Sequence, residues 1–279
     1  MSMKRALIPV TFVLVLFSCA PQAVLLDHPP IVKLYFQKKI NRLEKVSTGS
    51  DSDQRQLLKT KVEFAYGILM EENDRLIEDD YNRGVDGYKN ANIIFKEAKE
   101  IGHHLLSEKY SNFDLWLMGQ SEIKFKKEDI FELYWYGAAI GGAIKSSRGN
   151  PFELIHLSKV GRCFKTGLNL DPNWGSGSLY GAMMSFINSR TDLSESAFID
   201  SMNFYYENGL DASDSLDAGY FVNYAESVDK RFQHKDEFVR KLNHVLNMKL
   251  DKKSSFYLSN LIAQKRAKWL LSKQEDYFF

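Results

Sequence analysis

The stretch Phe164-Lys165-Thr166-Gly167-Leu168-Asn169-Leu170-Asp171-Pro172-Asn173-Trp174 constrains the fold more than any other. Phe164, Gly167 and Leu168 are three and four residues apart, a spacing that stacks them on one face of a helix. Asp171-Pro172 then ends that helix, because proline has no N–H to donate and pushes its predecessor out of the α region. A bulky ring, a small residue three positions later and a closing proline together form the second half of a helix-pair repeat. The small residue admits a neighbouring helix, and the proline turns the chain towards the next pair. Two other segments carry the same face: Ala91, Phe95 and Ala98, and then, without the proline, Met202, Tyr206, Gly209 and Leu210. Three approximate copies predict stacked helix pairs.

The aromatic–small–proline arrangement is that of a tetratricopeptide-type repeat, but the copies lie further apart than the regular period of about 34 residues. The expected fold is therefore all-α: an irregular tetratricopeptide-like superhelix. Composition agrees, with only six prolines, ordinary glycine content and no sustained alternation of apolar and polar residues. Helices are expected over 31–46, 55–72, 79–103, 128–146, 151–170, 175–188, 194–209, 216–229, 236–247 and 254–271. No linker divides residues 31–279, which read as one helical-repeat domain. With 37 Lys+Arg against 36 Asp+Glu, the charge balance gives no support for nucleic-acid binding.

Lys4 and Arg5 precede an apolar run over 6–17. That run falls short of the about 20 residues needed to span a bilayer and has the layout of a secretory signal. It ends in Leu16-Phe17-Ser18-Cys19, which resembles a bacterial lipoprotein box. Residues 1–18 are thus expected to be a signal peptide, with Cys19 lipidated and 19–30 a tether containing Pro29 and Pro30. An ordinary cleaved signal, or an N-terminal helix with an incidental cysteine, is the alternative. A lipidated Cys19 leaves Cys163 alone, so no disulfide framework is expected; Cys163 beside Phe164 reads as a small buried hydrophobe.

Chemistry-bearing motifs are scarce. Tyr134-Trp135-Tyr136-Gly137-Ala138-Ala139-Ile140-Gly141-Gly142-Ala143-Ile144 places three glycines inside a helix, each costing about 1 kcal/mol relative to alanine. Either the stripe permits a close helix crossing, or Tyr134, Trp135, Tyr136, Gly137 and Gly141 line a cleft suited to an apolar or amphipathic ligand. Trp174 and Tyr180, flanking Gly175-Ser176-Gly177-Ser178, are further lining candidates, with packing between repeats as the alternative; the segment Gly175–Ser178 is expected to cap the next helix. A phosphate loop is not indicated, since the P-loop lysine and preceding strand are missing.

His103 and His104 are adjacent and make a poor metal pair, and no zinc or nucleophile-elbow motif occurs. No metal, cofactor or catalytic residue is expected, and the chain does not read as an enzyme. The acidic clusters Glu71-Glu72-Asn73-Asp74 and Glu78-Asp79-Asp80 read as a solvated turn. In the last helix, Arg266 interrupts an apolar run, and Glu226 sits in the otherwise apolar or small stretch Tyr224-Ala225-Glu226-Ser227-Val228. A guanidinium among apolar neighbours is costly unless paired. The two either meet, or Arg266 extends its stem along the surface.

Several segments taken together resemble the T component of tripartite ATP-independent periplasmic (TRAP) transporters. They are Tyr81-x-Arg83-Gly84-x-Asp86-x-Tyr88, the segment from Tyr134 to Ala139, Leu168-x-Leu170-Asp171-Pro172, and Tyr224-Ala225-Glu226-Ser227-Val228. The last is Leu258-Ser259-Asn260-Leu261-Ile262-Ala263-Gln264-Lys265-Arg266-Ala267-Lys268-Trp269-Leu270-Leu271. The resemblance implies a lipid-anchored helical-repeat protein facing the periplasm, a TRAP solute-binding protein as its partner, and room for a homotrimer. It implies a non-enzymatic scaffold that holds or passes a solute. The alternative is a general repeat adaptor in envelope protein assembly, with no ligand cleft.

Overall fold

The computed structural model describes residues 28–46 and 50–279. Cys19, the signal peptide and most of the tether lie outside the described residues. Among the described residues there is no strand, and the chain is an all-α helical-repeat fold.

The helices are α1 (Pro29–Val46), α2 (Asp51–Phe64), α3 (Glu71–Asp79), α4 (Tyr81–Lys109), α5 (Phe113–Leu117), α6 (Ile130–Ser146) and α7 (Pro151–Leu154). They continue with α8 (Leu157–Leu170), α9 (Ser178–Asn188), α10 (Glu195–Ala212), α11 (Ala218–Tyr224), α12 (Lys235–Asn247), α13 (Tyr257–Ser272) and α14 (Gln274–Tyr277). Three differences from the sequence reading concern continuity, one being that the helix expected over 216–229 passes from α11 into a π-helical segment, Ala225–Asp229. The helix expected over 55–72 passes through a π-helical segment, Ala65–Met70, before continuing as α3. The helix expected over 151–170 breaks at residues 155–156 into α7 and α8. Helix starts follow side-chain capping: Ser50, Asp80, Asn150, Ser194 and Asp217 each accept a backbone N–H from the first turn that follows.

The repeat faces explain the packing. Ala91, Phe95 and Ala98 are fully buried on α4, which packs against α2 and α6. On α8, Gly167 admits the Leu179 side chain and Gly161 admits Phe186, which brings α9 close. Gly209 on α10 plays the same part for the Tyr220 ring of α11. Each small residue thus receives a large side chain from the next helix, the interdigitation that gives cores their density. Asp171 ends α8 in an extended conformation (φ −159°, ψ 99°). The following turn reverses through Gly175, Ser176 and Gly177, all at positive φ. Gly177 is the N-cap residue of the next helix, α9, without a side-chain hydrogen bond, so the segment both reverses the chain and supplies the expected cap position.

The last helix is only partly covered despite its apolar content. Tyr257, Ala263, Ala267 and Leu270 are buried, but Leu258 is exposed and Leu261, Ile262, Trp269 and Leu271 are only half-buried. Helix α13 packs on α11 and α12 and turns its other side towards the start of the array. There Ile262 reaches Gly67 of the π-helical segment, so the two ends of the superhelix meet.

Candidate functional site

Helix α6 has two faces with different neighbours. Phe131, Tyr134, Trp135, Ala138 and Gly141 remain partly exposed, and their spacing of three and four residues makes them one stripe. Tyr134 lies at the stripe's centre, with ring centroids 5.0 Å from Trp174, 5.0 Å from Trp135 and 6.1 Å from Phe164. Tyr66, from the π-helical segment, lies over the small residues. Its hydroxyl donates to the Ala138 carbonyl at 3.3 Å, and a Cβ on Gly141 would lie 3.5 Å from that hydroxyl. Lys59 sits over Trp135, 5.7 Å from the ring centroid. Tyr180 is half-exposed on α9. The opening turn of α11 adds Asp217, whose carboxylate accepts the Gly219 N–H at 2.9 Å.

The electrostatics of this strip follow from its partial burial. Burial, then Asp217 and Glu63, push the Tyr134 hydroxyl up to about 12. Burial, then Tyr134, push Tyr66 well above the ordinary phenol value. Burial also raises Asp217, against the pull of the Gly219 N–H. Burial raises Glu63 too, opposed by Lys59 and Lys39. The strip therefore offers aromatic faces and protonated hydroxyls on a surface that is only partly wetted. Such a surface suits a ring or alkyl chain with a polar end. No nucleophile–base pair is arranged on it, and the described residues contain no group of three potential metal ligands.

The opposite face of α6 is packing. A Cβ at Gly137 would lie 2.7 Å from the Phe164 ring and 3.1 Å from Cys163, and one at Gly142 would overlap Phe95. Gly137 thus serves the close helix crossing and lines no cleft with Tyr134. Tyr136 is likewise absent from the strip: it is 3% exposed and its ring lies against Phe113 and His103. Cys163 is buried, and burial pushes its thiol up to about 12, so it packs as a small hydrophobe. Of the lining candidates, the structure brings Tyr134, Trp135, Gly141 and Trp174 together, with Tyr180 at the margin. Tyr66, Glu63 and Asp217 were missed. Tyr66 depends on a π-helical segment with no sequence signature, whereas Asp217 before Ala218-Gly219 carried a readable cap signal.

Glu226 and Arg266 meet: Nε donates to Oε2 at 3.1 Å and Nη2 to Oε1 at 2.7 Å, the two-pronged geometry that suits a guanidinium. They do not meet alone. Asp74 lies 3.2 Å and Glu71 3.9 Å from Arg266, and Tyr88 donates to Asp74. The acidic stretch read as a solvated turn is therefore corrected. It forms α3, and two of its carboxylates hold the closing contact with the end of the chain.

A family model described as TRAP transporter T-component matches residues 48–278. The chain belongs to this family. The T-component reading of the Tyr81, Leu168, Tyr224 and Leu258 segments thus holds at family level, and the protein is associated with TRAP transport. No curated protein matches the chain. Among the described residues, no helix of this T component is long and apolar enough to cross a membrane.

Proposed function

We propose that this T component is a non-enzymatic, lipid-anchored periplasmic scaffold. It works beside a TRAP solute-binding protein and holds an apolar or amphipathic solute on the Tyr66–Tyr134–Trp174 strip. The observation that carries the reading is the strip itself: partly exposed aromatic rings in tilted and edge-on contact, with Tyr66 lying over the small residues Ala138 and Gly141 of the same helix face. A lipid on Cys19 would keep the protein at the membrane surface. Residues 1–18 are then a removable signal, and a homotrimer is the assembly this reading expects.

Titration with the amphipathic dye anilinonaphthalene sulfonate tests the strip. Gly141→Leu and Trp174→Ala are expected to weaken binding several-fold in folded protein, and unchanged binding in both would overturn the ligand reading. Crosslinking to a TRAP solute-binding protein tests the partnership. A folded protein that captures that partner without dye binding would leave a repeat adaptor with no solute site. Cys19→Ala should abolish labelling by a fatty-acid precursor, and an unlabelled native protein would remove the anchor.

A further inference from the structure

On the far side of α6 from the aromatic strip, a groove of about 220 Å³ opens between α4, α5, α6 and the start of α8. Its floor is Leu117, Ile140 and Tyr136. Tyr136 is the informative residue. It is 3% exposed, and a Cβ on Gly102 would lie 3.0 Å from its ring, which shows how tightly α4 crosses there. Its hydroxyl nevertheless makes no hydrogen bond to any described residue, and the residue lines the groove. A hydroxyl that reaches the groove and has no protein partner is free to donate to whatever the groove contains.

One wall of the same groove carries basic side chains. Lys99, His156 and Lys159 line it, and they are close enough to repel one another: burial first, then Lys159 and Lys99, hold the His156 imidazole below its ordinary value. Two carboxylates, Asp114 and Glu100, also line the groove, and both are paired with neighbouring cations or imidazole. Asp114 is held by His103 Nε2 at 2.7 Å, and Glu153 by Lys96 at 2.7 Å. Glu100, 3.4 Å from Lys99, keeps 73% of its side chain in water. Lys159 makes no ion pair among the described residues. One lysine without an ion pair, an unpartnered hydroxyl and an apolar floor call for a ligand with complementary parts.

We propose that this groove binds a phosphate monoester, with the phosphate between Lys99, His156 and Lys159, its oxygen accepting from Tyr136, and the substituent over Leu117 and Ile140. Lysines act here as point charges towards phosphate. The site is separate from the aromatic strip and stands whether or not that strip holds a solute. The phosphate can belong to a free ester or to a lipid headgroup.

Calorimetric titration of the purified full chain with phenyl phosphate tests the site. Saturable one-to-one binding is expected. The paired change Lys99→Gln and Lys159→Gln should weaken it by about tenfold or more. Tyr136→Phe removes only an oxygen with no protein partner, so it should leave the melting temperature unchanged and weaken binding several-fold. Trp174→Ala, on the other face, should leave the lysine-dependent binding of phenyl phosphate intact, and benzyl alcohol should show no lysine-dependent binding. Flotation with phosphatidylcholine vesicles, with and without phosphatidate, separates the two sources. Lysine-dependent flotation on phosphatidate assigns a headgroup, and its absence alongside phenyl phosphate binding assigns a free ester. No saturable binding, or binding unchanged in both the lysine pair and Tyr136→Phe, overturns the proposal.

Discussion

Two buried ionic clusters, built from the same side-chain types, hold different kinds of junction. In the first, Glu132 is fully buried on α6 and accepts from Arg55 Nε of α2 at 2.8 Å and Lys109 Nζ of α4 at 2.7 Å. Asp129 extends the cluster through Tyr110 and Lys109. Those three helices already pack closely on one another, so the charges sit on a junction that apolar burial has made. In the second, Arg266 of α13 binds Glu226, Asp74 and Glu71. The α3 and α13 backbones barely touch, and beyond the cluster the seam includes Ile262 against Gly67 and Lys273 with Glu78 at 2.9 Å. The difference teaches where electrostatics decides structure: it is supplementary where helices interlock, and it carries the contact where the two ends of the array meet.

Arg266→Met should break the comparison most severely. It leaves three carboxylates facing one another, and removing one partner of a buried pair costs about 3–5 kcal/mol. The lower end applies, because Glu226 keeps 26% of its side chain exposed. Adding Glu226→Gln should recover part of the loss. A double-mutant cycle with coupling below about 0.5 kcal/mol would show that the pair does not hold the seam. Hydrogen exchange should rise along α3, the π-helical segment and α13, with the α4–α6 packing left protected.

Glu132→Gln is the matching change in the interlocked region. A buried acceptor is weakened there, at about 2 kcal/mol. Arg55 and Lys109 keep 37% and 31% of their side chains exposed, so both can turn to water. Melting should therefore shift without selective exchange between α2, α4 and α6. Local opening between those helices would erase the distinction.

The sequence exposed one cluster better than the other, for a physical reason. Arg266 and Glu226 stood out because each is a charge among apolar or small neighbours, and the cost of leaving such a charge unpaired is general. Their partners Glu71 and Asp74 stood in a run of charges, which looks the same whether it faces water or another helix. The α6 faces divide similarly. The glycine-rich run was visible, but its division into packing (Gly137, Gly142) and strip (Ala138, Gly141) depends on where Phe95, Phe164 and Tyr66 arrive from distant segments. Helix-pair architecture was legible because the Phe164–Gly167–Pro172 pattern is local.

Glycines sharpen the contrast with a smaller effect. Gly142→Ala drives a methyl into Phe95. Overpacking of this kind costs about 1–3 kcal/mol, less the about 1 kcal/mol that alanine gains in a helix, for a net loss of about 1 kcal/mol. Gly67→Ala at the seam meets only Ile262 Cδ1 at 3.5 Å, an ordinary contact, so much of the helical gain should survive. Thermal melts should move in opposite directions. A destabilised Gly67→Ala would mean that the seam is as tightly packed as the interior.

Acid titration gives the finest separation, because one carboxyl in each cluster responds to pH with opposite sign. At Asp129 burial opposes the charge, but hydrogen bonds from Tyr110, the Lys126 N–H and Lys109 outweigh it and hold the carboxyl below its ordinary value. Its contribution is present above the ordinary aspartate range and is lost as pH falls through the folded value. Glu71 is the reverse: burial raises it, and Arg266 and Arg75 only partly offset the rise. Between the ordinary glutamate value and the raised one, the folded protein holds the proton and the unfolded chain does not, so stability falls as pH rises through that window. At neutral pH the ionised Glu71 is therefore a net cost. Glu71→Gln should melt higher than the native protein at pH 7, and the advantage should vanish once pH drops below the ordinary glutamate value. Asp129→Asn should melt lower at pH 7, with its deficit shrinking in acid. A Glu71→Gln protein that melts lower at pH 7 would mean that its carboxylate strengthens the seam, and the two clusters would then differ in position alone.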